Sequence, residues 1–84
     1  MNFMETISKI ENNKDFSGFV EKLRQDLLAN PEKWENATLD GFLEAISAWS
    51  FDSDGYYANQ KKPLPEAKTW QTMALVLLAG QGYE

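Results

Sequence analysis

The sequence predicts an all-α fold, a small helical bundle of three main helices plus a short N-terminal helix. Three observations lead there. Apolar residues recur at helical spacings of three and four in four separate segments, no stretch alternates apolar and polar as a half-buried strand does, and no internal repeat is present. With 84 residues there is room for one domain, 1–84, around a single shared core.

Phe3, Ile7 and Ile10 form a stripe of about two helical turns that closes in the polar run from Glu11 to Lys14. Asp15 is the expected N-cap of the next helix, because its carboxylate can accept from the free amides of a first turn. Phe16, Phe19, Val20, Leu23, Leu27 and Leu28 follow on one face, and Asn30-Pro31 stops the helix, since the residue before proline is pushed out of the α region. Leu39, Phe42, Leu43, Ile46 and Trp49 define a third helix, capped by Thr38 or Asn36, with Trp34 as a hydrophobic staple ahead of it. Asp40 and Glu44 lie one turn apart on the opposite face, and Asp40 also complements the positive end of the helix dipole.

Residues 50–65 read as the one long loop, because Asp52, Ser53, Asp54 and Gly55 are turn formers and Pro63 and Pro65 follow. Gly55 is expected at positive φ in a turn. A last helix begins near Pro65-Glu66, places Trp70, Met73, Ala74, Leu77 and Leu78 on one face, and ends at Gly80 and Gly82. The expected core is Phe16, Phe19, Leu23, Phe42, Leu43, Ile46, Trp49, Trp70, Met73 and Leu77.

Composition narrows the chemistry. There is no cysteine and no histidine, which removes thiolate and imidazole metal ligands, cysteine nucleophiles and the usual general base. An EF-hand reading of Asp52-Ser53-Asp54-Gly55 fails in register: with Gly55 at loop position six, Lys61 stands where the bidentate glutamate belongs. No glycine-rich phosphate cradle or hydrolase motif is present. The expectation is a protein that is not an enzyme and takes no metal and no cofactor.

Thirteen acidic and eight basic residues give a net charge of −5, which disfavours nucleic acid as a partner. Residues 32–54 hold six acids against one base, so this third carries −5, while 1–31 carries −1 and 55–84 carries +1. No run approaches the ~20 apolar residues of a membrane span, and the N-terminus has no secretory pattern, so a cytoplasmic location without membrane contact is expected. Carboxylates gathered in one third speed encounter with a basic protein surface. Tyrosine adds contact area at little entropic cost. The candidate partner-binding residues are therefore Glu35, Asp40, Glu44, Asp52, Asp54, Tyr56 and Tyr57. The alternative is a structural module that self-associates as a homodimer through Leu28, Leu75 and Val76.

The segments WENATLDGFLEAISAW (34–49), DSDGYYAN (52–59) and TWQTMALVLLAG (69–80), with the spaced prolines and the closing Tyr83-Glu84, form a combined pattern. The chain resembles a family of small bacterial proteins of unknown function marked by a W-E-N-x-T-L-x-x-F-L-E-A block, an acidic Gly-Tyr-Tyr loop and a terminal Tyr-Glu. That resemblance implies a compact bacterial protein and carries no catalytic residues with it. By analogy of size and charge, an immunity protein, an antitoxin or a phage-encoded inhibitor is the specific expectation.

Overall fold

A computed structural model describes residues 3–84. The elements run α1 (Phe3–Ser8), α2 (Asn13–Ala29), a short 3-10 turn (Pro31–Lys33), α3 (Leu39–Asn59) and α4 (Ala67–Gly82), with no strand among the described residues. The fold is all-α, as the periodicity predicts. Two units divide the chain, one up to Ile46 and one from Ser47 to Glu84, so the division falls inside α3.

In the first unit, α1 ends in a tightened turn, with Lys9 N–H donating to Thr6 O and Ile10 N–H to Ile7 O, both at 3.1 Å. Phe3 meets the ring of Phe19 edge-on at 5.9 Å, which joins α1 to α2. The N-cap of α2 is Asn12 rather than Asp15. Asn12 Oδ1 accepts from Asp15 N–H at 2.8 Å, and the Asp15 carboxylate reaches back to Glu11 N–H at 3.1 Å. Two backbone amides are thus satisfied reciprocally, in the manner of a capping box, and the helix starts three residues earlier than expected. At the other end Asn30 leaves the α region ahead of Pro31, at φ −134° and ψ 54°.

The largest departure from expectation lies in residues 50–59. These are helical, and α3 runs unbroken for 21 residues. Ser53 Oγ donates to Ser50 O at 2.7 Å, so its hydroxyl is satisfied inside the helix instead of competing with it. Trp49 reaches Tyr56 at 5.4 Å and Tyr57 at 6.5 Å, contacts at i+7 and i+8 that only a helix supplies. Gly55 is helical, and no glycine among the described residues has positive φ.

The helix stops at a Schellman turn. Lys62 N–H donates to Tyr57 O at 2.9 Å and Lys61 N–H to Ala58 O at 3.0 Å, with Lys61 in the left-handed region at φ 57°. Lysine here occupies the position where glycine ordinarily sits. Beyond the connection, α4 starts at Ala67 after a Glu66 cap that makes no side-chain bond, and it continues through Gly80 to Gly82.

The expected core does not close. No apolar side chain is buried among the described residues. Phe16, Leu43, Trp49, Met73 and Leu77 are exposed, while Phe19, Leu23, Phe42, Ile46 and Trp70 are half-buried. Each unit holds only two substantial helical segments, and two helices give a side chain neighbours on one flank while the other flank meets water. The buried side chain is Ser53, at 2% exposure, one helical turn from both Trp49 and Tyr57.

The left-handed cap yields a direct test. A β-carbon in that region costs roughly 1–2 kcal/mol, part of which glycine returns as chain entropy. Lys61→Gly is expected to raise stability by about 0.5–1 kcal/mol in urea unfolding followed by circular dichroism. Asn12→Ala, by contrast, removes the α2 cap and is expected to lower stability by about 1 kcal/mol.

Candidate functional site

The seven candidate residues divide between the two units. Glu35, Asp40 and Glu44 belong to the first, and Asp52, Asp54, Tyr56 and Tyr57 to the second. All are exposed except the half-buried Tyr57.

In the first unit, the segment before α3 is organised by Trp34. Its indole N–H donates to Asp26 Oδ2 at 2.8 Å, while Asp26 Oδ1 accepts from Asn30 Nδ2 at 3.2 Å. Both oxygens of one carboxylate on α2 therefore hold the turn that follows it. Trp34 also meets the Phe42 ring at 6.3 Å, the staple contact expected from sequence. Thr38 is the cap of α3: its Oγ1 accepts from Gly41 N–H at 3.1 Å. A β-carbon at Gly41 would stand 3.1 Å from that same oxygen, so glycine lets the capping hydroxyl close over the first turn. Asp40 sits in this turn, where its charge complements the helix dipole, and Glu44 follows one turn later.

These contacts shape an open apolar groove of about 290 Å³, walled by Val20, Leu23 and Leu27 of α2 and by Trp34, Leu39 and Phe42. Arg24 lines it too, its Nη1 bonded to Glu21 Oε1 at 2.9 Å across an exposed surface pair that contributes little stability.

In the second unit, the residues expected on an acidic, aromatic loop stand on a helix instead. Helical geometry separates Asp52 from Asp54 by about 200° around the axis, so the two carboxylates point to opposite sides and do not act as a pair. Tyr56 and Tyr57 pack edge-on at 5.2 Å and both meet Trp49, which is itself half in solvent at 50% exposure. These rings form one cluster along the helix, with Ser53 beneath them.

Phe51 is the residue that sequence reasoning missed. It is 85% exposed. Its neighbours one turn away are Ser47, Ala48, Asp54 and Gly55, none bulky enough to shelter a phenyl ring, and the space around Gly55 is open. The signal was present in the spacing: carried two residues past Trp49, the helical periodicity puts Phe51 off the apolar stripe. Reading 50–65 as a loop hid it.

Among the described residues no group of three or more carboxylates converges on a point that could hold a metal ion, and no helix is long and apolar enough to cross a membrane.

The Trp34 anchor can be tested without emptying its site. Trp34→Phe keeps an aromatic ring against Phe42 but removes the bond to Asp26, and hydrogen bonds to charged groups contribute about 1.5–3 kcal/mol. A loss of that order in urea unfolding is expected for Trp34→Phe, with Asp26→Ala costing at least as much because it frees Asn30 as well.

No curated protein and no solved structure matches the chain. A family model described as a family of unknown function, DUF7660, matches residues 12–84, from the Asn12 cap of α2 through both units to the final residue. The protein therefore belongs to that family of unknown function.

Proposed function

We propose that the protein is a non-enzymatic protein-binding module whose second unit engages a basic protein surface, in the manner of an immunity protein, an antitoxin or an inhibitor. The observation that carries this reading is Phe51, a phenyl ring at 85% exposure on a rigid helix, with Asp54 one turn away and Asp52 adjacent in the chain. Leaving such a ring in water forgoes ~1.5–3 kcal/mol of burial. Interfaces recover that free energy when an aromatic anchor enters a pocket and charged groups surround it at the rim.

The chemistry of the partner follows from the charges. Asp52 and Asp54 flank the anchor on different sides, so a pocket bordered by lysine or arginine on both sides would match them. Tyr56 extends the contact surface, and its contacts with Trp49 and Tyr57 hold its ring in place before binding. Glu35, Asp40 and Glu44 lie in the other unit, and the proposal rests on the residues of the second.

The test begins with capture from a lysate of the native host, followed by titration of the purified partner. Phe51→Ala is expected to weaken binding at least tenfold while leaving stability unchanged, because the ring supports nothing in its own chain. Asp52→Lys/Asp54→Lys is expected to slow association and flatten its dependence on salt. Unchanged affinity in both variants would place the binding surface elsewhere.

A further inference from the structure

We infer that α4 is a self-association surface, and that its partner is the α4 of a second copy lying antiparallel across a two-fold axis near Val76. From Met73 to Gly80 the helix is apolar around its whole circumference, a pattern that belongs to buried helices, yet every residue from Gln71 to Glu84 is exposed. Leu75 and Leu78, each at 65%, are the most exposed of its large apolar side chains and lie on one side of the helix.

Charge identifies the occupant. From Thr69 to Tyr83 there is no charged residue, so two chains that each carry −5 can meet along α4 without like charges opposing one another in between. Two of the charges at its ends are misplaced for a lone helix, although Glu66 at the N-cap complements the dipole. Lys68 stands in the first turn, where the dipole favours an anion, and Glu84 follows the last turn, where it favours a cation.

An antiparallel copy reverses both penalties. Lys68 stands in the first turn and Glu84 two residues past the helix end, so a two-fold axis near Val76 brings Lys68 to the end of the partner that carries its Glu84, and does so twice. Each charge then stands beside the end of the neighbouring helix that its sign complements. The same register places Leu75 next to the partner's Leu78, which closes these two exposed leucines of each copy into a shared strip.

Sedimentation equilibrium of the full chain decides the matter. The wild type is expected to be a dimer at micromolar concentration, and Leu75→Asp/Leu78→Asp a monomer with its helical circular dichroism retained. Lys68→Glu is expected to weaken the dimer about tenfold, since it turns two attractive pairs into repulsive ones. Adding Glu84→Lys to it should restore the wild-type constant to within about threefold.

Failure of that rescue would overturn the antiparallel pairing even if Leu75→Asp/Leu78→Asp lost its helical signal. A monomeric wild type overturns the proposal in either of two ways. If it tolerates both aspartates, the face is open to an unrelated partner. If they unfold it, the face is covered within its own chain.

Discussion

Neither unit has enough chain to surround an apolar side chain, and that shortage governs how each is held together. A domain with a closed interior orients its aromatics by burial; here two of the three tryptophans are oriented by their indole N–H groups. Trp34 donates to Asp26, and Trp70 donates to the Pro65 carbonyl at 3.1 Å, across the connection that leads into α4. In both cases a ring with one wet face is tied to the segment that precedes or follows a helix. Local order thus comes from directional bonds at the joints, and the apolar faces of the helices are left available.

The same shortage explains which parts of the fold were legible in the sequence. The α2 stripe, the stop at Asn30-Pro31 and the Trp34–Phe42 staple depend on contacts within about eight residues, and local pattern reports these well. Burial does not follow from pattern alone. Phe16 and Trp49 sit at correct helical spacings yet remain exposed, because a stripe becomes a core only when another element covers it. The Asn12 cap was missed because Asn12 and Asp15 are both good capping residues, and they satisfy the helix start together.

Residues 50–59 show a different kind of failure. Asp, Ser and Gly form turns when their side chains compete with the backbone, and here that competition is absent: Ser53 bonds back within the helix, and the aromatic contacts at i+7 and i+8 favour helix over turn. The true stop is a lysine in a backbone conformation usually given to glycine, which composition does not announce. Placing the helix end ten residues too early also determined which site residues were visible. Tyr56 and Tyr57 could be named from composition, but the exposure of Phe51 and the separation of Asp52 from Asp54 exist only once the helix is continuous.

The distribution of the tryptophans has a practical consequence. Each indole has its own surroundings: Trp34 against a carboxylate, Trp49 among two phenols, Trp70 on a backbone carbonyl. Indole emission responds to nearby charge and to solvent access, so the chain carries three intrinsic fluorophores with separable signals. Trp34 lies in the first unit and the other two in the second. Single-tryptophan versions would therefore show whether the two units melt together or one after the other, with no external label.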